Sequence, residues 1–368
     1  MPRLPEVPGV LSGPDITATA AAIAAVQEPS GAIPWFRNGH TDPWDHVECA
    51  MALDVAGLHG PAMAAYEWLQ RTQRADGAWL ARYERGHAAA SFVDVNFCGY
   101  VAVGAWHHFR TTGRRDDLEQ LWPTVRRALD FVVRHQLLGG EIAWASDAKG
   151  MVDEGLLTSS SSLYQALRTG LAIGQELRES LPDWELAAGR LGHAIRAHPE
   201  HFADKARWSM DWYYPILGGA VRGAEALRRI TARWNEFWVD GLGLRCVADQ
   251  PWVTGAETCE LALTLEAVGE RSAAVEALTA MQHLRDPNGS YWTGLVFSDG
   301  KRWPEERSSW TGAAVILAAD AIADATPGAG IFRAGELPLG VDPVSVVCAD
   351  DVTRDDASVV VCFPSQQP

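Results

Sequence analysis

Two kinds of helix alternate along this chain. One kind is amphipathic, with apolar residues at i, i+3 and i+4 and charges opposite, over roughly 16–27, 61–74, 116–136, 183–202, 228–239 and 271–285. The segment 116–136 is the clearest, opening on acidic residues and carrying its arginines toward the end. Between these lie passages of a second kind: a short aromatic stretch, a polar loop, and a helix rich in Ala, Gly and Leu. They occupy 33–57, 81–106, 143–174, 206–227, 244–269 and 291–322.

Six repeats of this pair predict twelve helices. Small residues let the second kind pack closely as an inner ring, and the amphipathic kind faces solvent around it. The pattern therefore predicts an all-α fold, an (α/α)6 toroid over residues 1–330. Beyond it the character changes to Gly/Pro punctuation and short Val-rich runs, which predict a short irregular or β tail over 331–368 packed on the toroid.

Composition narrows the function. The formal net charge of −16 repels phosphate backbones and anionic membranes, so neither nucleic acid nor a membrane is an expected partner. No apolar run approaches the roughly 20 residues that span a bilayer. The N-terminal stretch lacks a signal-like apolar region. Cys49, Cys98, Cys246, Cys259, Cys348 and Cys362 show no CxxC spacing and read as small hydrophobes, so the expected location is cytoplasmic. Sixteen Trp against seven Tyr supply flat platforms suited to sugar or isoprenoid faces, although many must simply fill gaps between helices. A homodimer is compatible with all of this.

In such a ring the inner-helix N-termini open into one funnel, and carboxylates recur there: Asp42, Asp45 and Glu48; Asp94; Asp153 and Glu154; Asp211; Glu257 and Glu260; Glu305 and Glu306. Capping accounts for part of this, since Asp42 with Asp45 and Thr254 with Glu257 fit capping patterns. Glu48 and Glu260 lie one turn further in, where capping no longer applies and a buried acid is costly unless partnered or functional. Aromatics beside opposed carboxylates are what glycoside hydrolysis requires: one acid protonates the leaving oxygen and a second carboxylate activates water or attacks the anomeric carbon. Trp44, His46, Glu48, Asp94, Asn96, Asp211, Tyr214, Glu257 and Trp310 are the candidates to hold sugar hydroxyls and faces.

Other chemistries find little support. The eleven His, among them His193, His198 and His201, form no HExxH-like pair, so no metal and no cofactor is expected. The hydroxyl run at 158–162 lacks a GxSxG setting. Gln73, Gly77 and Trp79 match the QxxxGxW tie of triterpene cyclases, which occurs convincingly once, without the DxDD acid motif. An isoprenoid-processing toroid and a non-catalytic sugar-binding toroid are the alternative readings.

The whole pattern resembles the (α/α)6 glycosidases. More narrowly, the passage 33–57 and the Gly255–Leu263 stretch resemble the mycobacterial methylmannose polysaccharide hydrolase family, endo-α-mannosidases acting on a methylated mannan. The resemblance implies Asp45 and Glu260 as the catalytic pair and an oligo- or polysaccharide substrate. Spacing alone does not separate Glu260 from Glu257. Analogy with other toroid glycosidases implies inversion.

Overall fold

The computed structural model describes residues 3–341 apart from 334 and 336. In chain order the helices are α1 (Gly13–Ala24), α2 (Pro43–Val55), α3 (His59–Thr72), α4 (Val95–Gly99), α5 (Val101–Thr112), α6 (Arg115–Arg134) and α7 (Leu157–Leu177). There follow α8 (Pro182–Ala197), α9 (Ser209–Leu217), α10 (Gly223–Phe237), α11 (Gly255–Ala267), α12 (Arg271–Ala280) and α13 (Ser309–Ala323). Each amphipathic segment of the sequence falls on one of α1, α3, α6, α8, α10 and α12. The thirteenth helix arises because a break at Tyr100 divides the second inner helix into α4 and α5.

The inner helices close on themselves: α2 packs on α5, α5 on α7, α7 on α9, α9 on α11, α11 on α13, and α13 again on α2. Their composition makes this possible. Every residue of α13 from Ser309 to Ile322 is buried, as is α11 from Gly255 to Glu266. Close approach needs missing side chains. A Cβ on Gly104 would lie 2.5 Å from Val47, and one on Gly218 would lie 2.1 Å from the carbonyl oxygen of Ser161.

The amphipathic helices lie outside this ring and are stitched to one another by a glutamine device. Gln73 Nε2 donates to the carbonyls of Gly77 and Thr124, the second on the next outer helix. Gln27 does the same toward Gly31 and Pro61, and Gln136 toward Gly140 and Ala187. The tie thus occurs three times among the described residues, where the sequence predicts one. Gln27 and Gln136 lack the trailing tryptophan that makes the motif legible, but a glutamine and a glycine suffice for the bonds.

The all-α expectation needs a second correction, since three small antiparallel sheets are present. The first joins β1 (His40–Thr41), β2 (Tyr83–Glu84) and β3 (His87–Ala88); the second joins β4 (Val93–Asp94), β5 (Ala145–Asp147) and β6 (Gly150–Met151). The third runs β11-β10-β9-β8-β7, from β7 (Trp238–Val239), β8 (Gly243–Arg245), β9 (Trp252–Thr254), β10 (Gly294–Val296) and β11 (Lys301–Arg302). Strands of two or three residues are too short to show a period of two. They matter because β1, β4 and β9 lead directly into α2, α4 and α11, forming a collar at the N-terminal end of the inner helices. Most of the Val-rich tail lies outside the described residues.

Cys49, Cys98, Cys246 and Cys259 are buried and unpaired, as small hydrophobes should be. Among the described residues no helix is long and apolar enough to cross a membrane.

Candidate active site

A cavity of about 650 Å³ opens at this collar. The first unit contributes Trp35, His40, Asp42, Trp44 and Asp45; the second contributes Arg82, Phe92, Asp94 and Phe97; Met210 and Trp310 complete the wall, Trp310 beside Trp35 at 6.0 Å. Indole and phenyl faces beside carboxylates are the surfaces a pyranose uses.

The acids divide by task. Asp42 is the N-cap of α2, its Oδ1 accepting the Asp45 N–H at 2.9 Å while Oδ2 accepts Trp35 Nε1 at 2.9 Å. Both oxygens are therefore engaged in fixing the helix start and the indole. Asp45, in the first turn of α2, is half-buried and lines the cavity. Burial pushes its pKa well above the ordinary carboxylate range, and the charges of Asp42 and Glu48 push it further. Asp94 caps α4 through the Asn96 N–H at 3.0 Å, and burial lifts it to about 7.

Glu48 and Glu260 stand behind the wall. Glu48 Oε1 accepts from Trp44 Nε1 at 3.1 Å and from the Tyr100 hydroxyl at 2.9 Å, and Oε2 accepts from Trp310 Nε1 at 2.7 Å. Burial raises it to about 7 against those three donors. Glu260 accepts from the hydroxyls of Tyr213 and Tyr214, the latter at 2.5 Å. Burial and the charge of Glu48 hold its pKa well above the usual value, and the two phenols oppose the shift. Tyr214 meets Trp44 edge-on at 5.7 Å, so one aromatic layer separates Glu260 from the cavity. Glu257, in the first turn of α11, is also buried and raised by burial. Thr254 makes no side-chain cap for α11, contrary to the capping pattern expected of it.

Other sequence candidates are placed differently. His46 is not a sugar ligand: fully buried, its Nδ1 accepts the Ile33 N–H at 3.0 Å, so its Nε2 carries the proton and faces the Ala65 carbonyl at 2.9 Å. Desolvation drops it to about 4, which keeps it neutral. Asp211 Oδ1 accepts the hydroxyl and N–H of Thr158, tying α9 to the start of α7, and its neighbour Met210 reaches the cavity instead. Asn96 is buried with neither amide atom hydrogen-bonded among the described residues, a demand that a water or a sugar hydroxyl would meet. Asp153 and Glu154 are exposed, and Glu305 and Glu306 line a separate depression against α1.

The sequence reading missed Tyr100 and Tyr213, the donors that hold the two inner carboxylates, and the wall residues Phe92, Phe97 and Met210. The adjacent tyrosines 213 and 214 were the available signal, lying in an inner helix with few other polar groups.

No family model matches the chain. Among solved structures it is similar in fold to a glycosidase in complex with glucose (TM-score 0.67, 15% identity, covering 84% of this chain and 96% of that one). It is also similar to a D-mannose isomerase (TM-score 0.64, 11% identity, covering 83% and 96%). The fold is therefore one on which several sugar chemistries occur. Sequence gives the family within it. The chain is 58% identical over 339 residues, 92% of its own length and 94% of the relative's, to the MMP endo-(1,4)-3-O-methyl-alpha-D-mannosidase of Mycolicibacterium hassiacum, and it belongs to that enzyme's family. Membership sets aside the isoprenoid and purely sugar-binding alternatives.

Proposed function

We propose that this protein cuts internal α-(1→4) links of a 3-O-methylmannose polysaccharide, using Asp45 as general acid and Glu260 as general base. The closed ring of inner helices with its outer set is then an (α/α)6 toroid over residues 1–330. The described residues just past 330 dock on it, supported by Arg168 donating to the carbonyls of Leu337 and Pro338. The buried free thiols suit a reducing, cytoplasmic setting.

The observation that carries the reading is the position of Asp45: the carboxyl at the cavity wall whose proton is favoured by burial and by two neighbouring acids. A protonated carboxylic acid there gives its proton to the glycosidic oxygen as the bond to C1 breaks. A water on the opposite face bonds to C1, inverting the centre, and passes its proton to the Tyr214 hydroxyl, which hands its own to Glu260, so the base acts through the tyrosine that stands between it and the cavity. The donors Tyr213 and Tyr214 favour the ionised form that this role needs, opposing the burial that raises its pKa. Trp44 and Trp310 provide the faces against which the ring and its methyl ether rest.

The test is cleavage of an α-(1→4)-linked 3-O-methylmannose oligosaccharide into shorter chains, with the product anomer read by NMR. Inversion requires room for a water, a carboxyl separation of about 6.5–9.5 Å in the substrate complex. Intact substrate with a normally folded protein would overturn the activity. An inactive Glu257→Gln beside an active Glu260→Gln would move the base to Glu257, which lies in the first turn of α11 as Asp45 lies in the first turn of α2.

A further inference from the structure

A second group of ligating side chains lies at the outer rim of the third unit, where α8 ends. Among the described residues, His198, Glu200 and His201 each offer one ligand atom, and these atoms lie within 4.8 Å of one another. His198 Nδ1 is 3.1 Å from Glu200 Oε1. The His198 and His201 rings are 4.8 Å apart. A fourth donor comes from a distant part of the chain, the loop after α6: Glu141 Oε2 stands 3.5 Å from His201 Nδ1. Glu141 is buried, and this oxygen makes no hydrogen bond among the described residues. Protonated His201 at 3.5 Å can serve as its counter-charge, and a metal ion bound between the two would take the place of that proton.

Glycine at 139 is what lets these two ligands stand together. A Cβ there would be 2.5 Å from both Glu141 Oε2 and His201 Nδ1, so any side chain would force them apart. Glu200, exposed, leaves the site open to solvent.

We propose that His198, Glu200, His201 and Glu141 bind a divalent transition-metal ion, with Zn²⁺ the best match. Two imidazoles and two carboxylates suit a borderline ion over Mg²⁺ or Ca²⁺, which prefer all-oxygen shells. Four donors suit the tetrahedral habit of zinc. The two rings lie nearly parallel at 10°, so one turns about its side-chain torsions to bring its lone pair onto the ion. The ion would clamp the 137–142 loop to the end of α8. It lies outside the catalytic cavity, so its role is to hold the collar of the third unit, and it stands apart from the hydrolytic reading. The spacing 198, 200, 201 does not reveal it, because the set is incomplete without a residue nearly sixty positions upstream.

The metal-stripped protein is dialysed against roughly 10 µM free ZnCl₂, with MgCl₂ in parallel, and bound metal and thermal midpoint are measured. One equivalent of zinc with a raised midpoint, and neither with magnesium, is the expected result. His198→Ala/His201→Ala should lose this equivalent, and Gly139→Ala should weaken it by about tenfold or more by forcing Glu141 and His201 apart. Glu200→Gln alters only an exposed side chain, so it keeps the test valid if the other variants fold poorly, and it too should weaken uptake. Absence of zinc uptake by the wild type, or uptake as tight in His198→Ala/His201→Ala and Glu200→Gln as in the wild type, overturns the proposal.

Discussion

The indole of Trp310 donates to Glu48 Oε2 at 2.7 Å, joining two residues 262 positions apart. This bond crosses the seam where α13, the last inner helix, meets α2, the first. Trp310 is thus both a cavity face and the closing bond of the ring. Trp310→Phe keeps an aromatic face but leaves one oxygen of a buried carboxylate without its donor. A stability loss of about 1–3 kcal/mol is expected by urea denaturation. An unchanged midpoint would show that the ring closes without help from this bond.

Glu48 also makes stability depend on pH. Its folded pKa, about 7, lies above the ordinary glutamate value, as does that of Asp94, also about 7. For groups raised in the fold, the stabilising contribution is complete below the unfolded value and disappears as pH rises through the folded one. Stability should therefore decline between about pH 4.5 and 8, by on the order of 3 kcal/mol for Glu48 alone. Glu48→Gln cannot ionise and should flatten this slope. Its absolute stability is a poorer readout, since the amide nitrogen cannot accept from Trp310. Thermal midpoints measured across this range decide it, and equal slopes in the two proteins would exclude Glu48 as the source.

Much of this architecture was legible because it rests on local rules. The amphipathic period marked all six outer helices, and the runs of small residues marked the inner ones. The collar strands were not legible, because a two-residue strand such as β1 is defined by its partner at Tyr83–Glu84 and not by its own pattern. Within the site, Asp42 shows the limit of motif reading. A capping pattern predicted its bond to Asp45 but not the bond to Trp35. His46 was misread because a polar residue between two carboxylates suggests chemistry, while its two ring nitrogens in fact satisfy backbone groups of neighbouring segments. Glu48 and Glu260 were singled out correctly as acids beyond the reach of capping. Their distance from the cavity depends on Trp44, Tyr100 and Tyr214, which only the folded ring brings between them.

Asp45 should control the basic limb of the pH–activity profile. It must be protonated to act, so activity falls as pH rises through its elevated pKa. Asp42 is one of the charges that elevate it. Asp42→Asn retains a good cap and removes that charge, so the basic limb should move to lower pH with the protein still folded. Asp45→Asn should lower kcat by about 10²–10⁴-fold and abolish the limb from whatever activity remains. Profiles of kcat for the three proteins suffice, and a basic limb unmoved in Asp42→Asn would show that another group titrates there.

Asp54 and His108 form a buried pair at the opposite ends of α2 and α5 from the cavity. His108 Nδ1 meets Asp54 Oδ2 at 2.8 Å and its Nε2 meets Asp117 Oδ2 at 3.0 Å, while His59 holds the other oxygen of Asp54 at 2.9 Å. With a carboxylate on each nitrogen the imidazole carries both protons, and its pKa is raised despite burial, which acts the other way. Breaking such a pair strands one charge, so Asp54→Ala should cost about 3–5 kcal/mol. The loss should be largest below pH 6.5, where His108 is charged even when unfolded, and should shrink as pH rises through its raised folded value. A loss independent of pH would point to packing in place of the ion pair.

Gly77 separates backbone conformation from crowding. It has a positive φ of 98°, and a Cβ there would lie 2.2 Å from the carbonyl oxygen of Arg127 on α6. Gly86, in the turn between β2 and β3, also has a positive φ, 77°, but open space around it. Alanine at Gly86 should therefore meet only the cost of the left-handed conformation, about 1–2 kcal/mol. Alanine at Gly77 adds a collision with backbone that cannot swing aside, and it disturbs the carbonyl that accepts from Gln73. A loss above about 4 kcal/mol is expected, in the range reserved for strained or broken networks. Because the tie joins α3 to α6, Gln73→Ala should reproduce part of this loss without the steric component. If Gly77→Ala and Gly86→Ala are equally mild in urea unfolding, the backbone at Gly77 does not press on the Arg127 carbonyl of α6 as closely as 2.2 Å implies.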